Sequence, residues 1–139
     1  MGWLAYAFVS AVAAALTAIL AKIGVEGVPS NLATAIRTVV ITVLAWAIVT
    51  ATGERHALTT ISRRSLLFLV LSGVATGISW MAYYRALQLA PASRVSPIDK
   101  LSLPLTVVLA VLFLGESVGW RLGVGVALMT IGAVLTVGG

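Results

Sequence analysis

The apolar positions of this chain fall into five long runs, separated by short joints that collect glycine, proline and most of the charge. A helix rising 1.5 Å per residue needs roughly 20 apolar residues to cross about 30 Å of hydrocarbon, and the runs approach that length. The pattern predicts transmembrane helices over about Trp3–Ala21, Asn31–Thr52, Leu66–Ala90, Pro97–Leu114 and Trp120–Val137. Lys22 closes the first run, Gly24–Val25–Glu26–Gly27–Val28–Pro29 makes a turn, and Ser30 or Asn31 offers an N-cap for the second. Gly53–Ser65 is the one long polar loop, carrying Glu54, Arg55, His56, Arg63 and Arg64. Pro91–Ala92–Ser93–Arg94 links the third run to the fourth, and Gly115–Glu116–Ser117–Val118–Gly119 links the fourth to the fifth. Joints this short force neighbouring helices to run antiparallel. The expected fold is an all-α membrane protein, with five transmembrane helices in one antiparallel bundle forming a single domain over residues 1–139.

Composition sharpens this picture. Of the 139 residues, 60% are hydrophobic and 9% charged, and mean hydropathy is +1.11, whereas about a quarter of a soluble domain is charged. Too little polar surface exists to face water. Without cysteine there is no disulfide framework, thiolate metal site or thiol nucleophile. Net charge is +5, but the basic residues are scattered singly, which argues against a nucleic-acid surface. His56 lies among charged neighbours and reads as solvated. Met1–Gly2–Trp3 has no basic stretch and no small-residue cleavage site follows, so the first run reads as a retained helix rather than a signal peptide. Trp3, Tyr6 and Trp120 fall near predicted interfaces, where amphipathic rings settle.

An odd number of crossings puts the termini on opposite sides of the membrane, so two fused copies would form an inverted repeat, as in many secondary transporters. Basic residues set orientation. Arg55, Arg63, Arg64 and Arg121 lie on the N-terminal side; Lys22 and Arg94 lie in loops opposite, with Arg37, Arg85 and Lys100 just inside helices there. Loops alone count four against two and favour an inside N-terminus; with the embedded residues the count is four against five. Two alternatives follow: insertion both ways with self-pairing head to tail, or a single N-inside orientation with a separate partner.

The third run carries the most candidate chemistry. Gly73, Gly77, Trp80 and Tyr84 recur at i, i+4, i+7 and i+11 and share a face, with Gly73 and Gly77 forming a GxxxG that admits a close helix. Ser72, Thr76, Ser79 and Tyr83 form an adjacent hydroxyl stripe. Either the stripe bonds back to its own helix in a packed contact, or Trp80, Tyr83 and Tyr84 line a substrate cavity. In the fourth run Asp99, Ser102 and Thr106 share a polar face, while Ser96–Pro97–Ile98–Asp99 also fits a capping box with Pro97 at the first helical position. Pro104 cannot donate to the Lys100 carbonyl, which predicts a free oxygen and a kink.

Ionisable groups inside a span cost about 2.5–3.5 kcal/mol on insertion scales and are functional hypotheses by default. Arg37 lies two turns into the second run, Arg85 a turn before the end of the third, and Lys100 near the start of the fourth, with Asp99 the only carboxylate at that depth. Asp99 and Arg85 flank one tight turn and could pair. Arg85 and Lys100 could instead snorkel to the interface, which Arg37 does less easily. A basic vestibule with one acid favours an anionic or zwitterionic solute. In the fifth run Gly119 and Gly123 make a second GxxxG and Gly125 and Gly132 repeat at seven, so it reads as a helix–helix or subunit contact. There is no G-x-x-x-x-G-K-[ST] loop, no H-E-x-x-H, no serine with a nearby His and no carboxylate pair placed for acid–base work. Neither an ATP-driven pump nor an enzyme is expected, and no cofactor or metal is implied.

The run Tyr83–Tyr84–Arg85–Ala86–Leu87–Gln88–Leu89–Ala90–Pro91–Ala92–Ser93–Arg94–Val95 resembles EamA-like domains of the drug/metabolite transporter superfamily. Pro104, the run Phe113–Leu114–Gly115–Glu116, Lys22 and Arg37 also match that pattern, and Pro97–Ile98–Asp99–Lys100–Leu101–Ser102 resembles its stand-alone five-helix branch. The Trp-Gly pair common in the family's first helix is Ala14–Ala15 here, so no pore role transfers to it. The resemblance implies one inverted-repeat half of a ten-helix transporter, working as a secondary carrier by alternating access and as an antiparallel homodimer. Its implied partners are the lipid bilayer, of a bacterial or archaeal cytoplasmic membrane, and a small-molecule solute. The superfamily's four-helix exporters use a glutamate in the first helix, but Trp3–Ala21 contains no acid, leaving Asp99 or the interfacial Glu116 for any proton coupling. The expected pathway residues are Arg37, Trp80, Tyr83, Tyr84, Arg85, Asp99, Lys100, Ser102 and Pro104, with Gly73, Gly77, Gly119, Gly123, Gly125 and Gly132 at helix or dimer contacts. The competing expectation is a non-transporting scaffold or lipid-carrier partner subunit.

Overall fold

The computed structural model describes residues 2–136, and every regular element among them is helical. In chain order these are α1 (Trp3–Gly24), α2 (Ser30–Ala51), a 3-10 segment (Glu54–Thr60), α3 (Arg63–Leu89), α4 (Ala92–Asp99), α5 (Ser102–Leu109), a π turn (Ala110–Leu114) and α6 (Trp120–Leu135). Among the described residues four stretches are long and apolar enough to cross a membrane: α1, α2, α3 and the stretch Ala92–Leu114. The fifth run gives a shorter helix of 16 residues, Trp120–Leu135; Val137, expected to end it, lies outside the described residues.

Several helix ends differ from the sequence expectation, each for a local reason. α1 continues past Lys22 to Gly24. α2 starts at Ser30 after an extended Pro29, and neither Ser30 nor Asn31 acts as a side-chain cap. The Ser30 carbonyl instead accepts the Thr34 hydroxyl at 2.9 Å. At the other end of α2, Gly53 takes a left-handed φ of 74° that a side chain would resist. Arg55 folds back there and donates to the Thr50 hydroxyl at 2.7 and 3.1 Å.

The polar loop is shorter than expected because α3 begins at Arg63 rather than Leu66. Ser62 caps it: its Oγ accepts the Ser65 backbone N–H at 3.0 Å, satisfying a donor that the first helical turn leaves without a partner. Replacing Ser62 with alanine should cost about 1 kcal/mol. Faster amide exchange confined to the first turn of α3, recovered in Ser62→Asp, is the expected readout.

The fourth run departs most. Pro91, not Ser96, precedes its first helix, so the Ser96–Asp99 capping box does not form and Asp99 ends α4 instead of starting a helix. The break falls at Lys100–Leu101, upstream of Pro104. The Lys100 carbonyl is not free, since it accepts the Leu103 N–H at 3.0 Å in a tightened turn. Pro104 therefore sits in the first turn of α5, where a missing N–H costs little. The stretch ends in a π turn at Ala110–Leu114, and Gly115, at φ 67°, turns the chain out.

Close contacts divide the expected bundle into two compact units. One is Leu20–Gln88, holding the last turn of α1, all of α2 and nearly all of α3. The other comprises residues 2–19 and 89–136, in which α4 and α5 both pack on α6. The buried residues among those described are few: Ala18, Ala21, Val25, Thr34, Tyr84, Leu87 and Ala133. The large aliphatic side chains along the spans are mostly exposed, as befits surface meant for lipid or another protein rather than water. A Cβ placed on Gly73, Gly77, Gly119, Gly123, Gly125 or Gly132 would meet nothing within 4 Å. The close helix contact that their spacing predicts is therefore not made at these glycines.

Candidate functional site

The unit Leu20–Gln88 is tied together at one end. Leu87 on α3 is fully buried, and the neighbouring Val25 and Tyr84 are buried too. Around this plug the chain spends its polar groups on backbone. Lys22 Nζ donates to the Leu87 carbonyl at 2.5 Å, capping the C-terminal end of α3 where a cation is favoured. Gln88 Nε2 donates to the carbonyls of Val28 at 2.7 Å and Val25 at 3.4 Å, in the turn between α1 and α2. Arg85 Nη1 in turn donates to Gln88 Oε1 at 3.1 Å. This clasp closes the unit at the α1–α2 turn.

One turn further along α3 the aromatic residues begin. Trp80 and Tyr84 are four apart and lie with ring centroids at 5.9 Å; Tyr83 meets Trp80 edge-on at 5.4 Å. Arg37 reaches from α2 and places its guanidinium carbon 3.3 Å from the Trp80 ring centroid and 6.0 Å from that of Tyr84. A desolvated cation over an indole face is worth about 2 kcal/mol, which offsets much of the cost of a charge at this depth. Among the described residues Arg37 has no ion pair and no hydrogen-bond partner. Its N–H groups are left available.

Beyond Trp80 the two helices hold a groove of about 410 Å³ between them. Thr34, Arg37, Thr38 and Ile41 line it from α2; Leu69, Ser72, Gly73, Thr76, Gly77 and Trp80 line it from α3. The repeats of three and four on both sides put these residues on facing stripes. Gly73 and Gly77 have no side chain to fill the space, so the GxxxG opens the groove instead of closing a helix pair. Thr34, Thr38 and Thr76 donate their hydroxyls to carbonyls one turn back at 2.8–2.9 Å. The Ser72 hydroxyl and the Trp80 indole N–H have no hydrogen-bond partner among the described residues. No carboxylate lines the groove among the described residues.

Of the pathway residues expected from sequence, the structure brings together Arg37, Trp80, Tyr83 and Tyr84. Arg85 belongs to the clasp. Arg85 and Asp99, which flank the tight turn and could have paired across it, each take a local partner: Gln88 for Arg85, and Lys100 at 3.2 Å for Asp99. Asp99, Lys100, Ser102 and Pro104 lie in the other unit; Ser102 is exposed and gives its carbonyl to Thr106. Sequence reasoning passed over Gln88 and the Thr34–Thr38 ladder. The spacing of four in that ladder was visible, but Gln88 had no pattern to mark it.

The chain matches the EamA-like transporter family over residues 1–138. It belongs to that family. It is also 50% identical over 133 residues to a Sinorhizobium sp protein described as "Uncharacterized transporter in cobO 3'region", covering 96% of this chain and 94% of that protein. The match thus spans nearly the whole of both this EamA-like chain and its relative. No solved structure matches it. Membership makes the protein an integral membrane transporter and points away from an enzyme.

Proposed function

We propose that this EamA-like protein is a secondary carrier that moves a small solute across a cytoplasmic membrane by alternating access. It acts as one five-helix domain paired head to tail with a second copy. The observation that carries this reading is the Arg37 guanidinium over Trp80 at the mouth of an open groove in a membrane-spanning unit. A charge at that depth is costly, and lining a solute path is the role that best accounts for it. Tyr83 and Tyr84, packed on Trp80, and Arg85, Asp99, Lys100, Ser102 and Pro104 are assigned to the pathway on their sequence positions.

In this reading α6 is the fifth span. Its 16 residues rise about 24 Å, and local thinning of the bilayer accommodates the shortfall. The near balance of basic residues between the two sides supports insertion in both orientations. The open faces at Gly119, Gly123, Gly125 and Gly132 supply a contact for the second copy. A non-transporting partner subunit would use the same glycines but leaves the Arg37–Trp80 stack without a role.

Purified protein in liposomes tests the reading by counterflow against a panel of labelled metabolites. Saturable, trans-stimulated uptake of at least one is the expected result. Flux that never saturates, or none above empty liposomes across the panel, would overturn it.

A further inference from the structure

The groove between α2 and α3 is unbalanced in its chemistry. Among the described residues that line it there is one cation, Arg37, and no acid. Among the described residues the donors it presents without a hydrogen-bond partner are the Arg37 N–H groups, the Ser72 hydroxyl and the Trp80 indole N–H, while the threonine hydroxyl protons are already given to backbone. A guanidinium is planar with five donors at its edge, and stacking on an aromatic face occupies the face while leaving that edge available. We propose that the groove selects a small soluble oxyanion, a carboxylate or phosphate, held by the edge of Arg37 with the Trp80 N–H beside it. Trp80 also acts as a positioning residue that holds the guanidinium in place.

Charge-assisted, forked hydrogen bonds to a carboxylate or phosphate are the strong ones, and a low-dielectric setting strengthens them further. A cationic solute would meet Arg37 with no compensating acid in the groove. The proposal deepens the carrier reading by naming its substrate class, and it rests on the groove being the solute site.

Direct binding tests it separately from flux. In a Trp3→Phe, Trp46→Phe, Trp120→Phe background Trp80 is the sole tryptophan and reports on its own stacking partner. With the protein in phosphatidylcholine nanodiscs at constant ionic strength, butyrate should change this fluorescence saturably and butylammonium should not. Arg37→Gln should weaken the butyrate midpoint at least tenfold, and Arg37→Lys should weaken it less, since lysine keeps the charge but not the fork. An unchanged melting temperature shows that the variants are folded. Equal responses to the two probes, or an unaltered midpoint in Arg37→Gln, would overturn the proposal. So would a midpoint that climbs with added phosphatidylglycerol, which would assign the site to a lipid headgroup. Binding without flux defeats the carrier reading alone; flux indifferent to Arg37 with no butyrate response defeats this inference alone.

Discussion

Arg37→Ala lowers saturable flux in liposomes roughly ten- to hundredfold. Hydrogen bonds to a charged group are worth about 1.5–3 kcal/mol, and each 1.4 kcal/mol is about a factor of ten. The change removes the one cation of the groove but no part of the buried plug around Leu87 and none of the clasp. Trp80 then loses its stacking partner, which sits 3.3 Å from the ring centroid, yet keeps its edge contact with Tyr83. Initial-rate flux at matched protein incorporation checks this. Flux within twofold of the parent protein would remove Arg37 from the pathway.

Leu87→Ala should be the most destabilising single truncation in Leu20–Gln88, at about 2–3 kcal/mol. Lipid tails are as apolar as leucine, so burial within a membrane protein stabilises through packing rather than escape from water. A cavity left by removing a fully buried leucine forfeits that packing. Leu87 also carries the carbonyl that Lys22 caps, so slackening there loosens the join between α3 and α1. Leu105→Ala is the control: with 63% of its surface exposed it has little packing to lose, and the change should fall within about 0.5 kcal/mol. Midpoints of denaturation in mixed micelles compare the two directly. Equal midpoints would mean that the plug does not hold the unit together.

The sequence was most legible where periodicity and apolar length decide the outcome. Helical structure throughout the described residues, the approximate extents of α1, α2 and α3, and the common face of Gly73, Gly77 and Trp80 all follow from spacing and composition. It was least legible where local hydrogen bonds compete. Ser96–Pro97–Ile98–Asp99 looks like a helix start, yet extended Pro91 opens the helix five residues earlier. Pro104 looks like a kink, but the break one turn upstream puts it in a first turn where its missing N–H is harmless. GxxxG spacing says only that a backbone can be approached. Whether a helix or open space faces Gly73 and Gly77 depends on partners that the pattern does not contain. The long-range contacts were the hardest to foresee. Arg37 on Trp80 and Gln88 on Val28 join residues far apart in the chain, and nothing in either local pattern names the other.

The account turns on a carrier assembled from two oppositely oriented copies, and the location of the C-terminus tests this most directly. A dual reporter fused after Gly139, one half active only in the cytoplasm and the other only outside it, is read in intact cells. Substantial signal from both sides is the predicted result, in line with the near-equal basic counts on the two faces. Signal from one side alone would contradict the antiparallel pair.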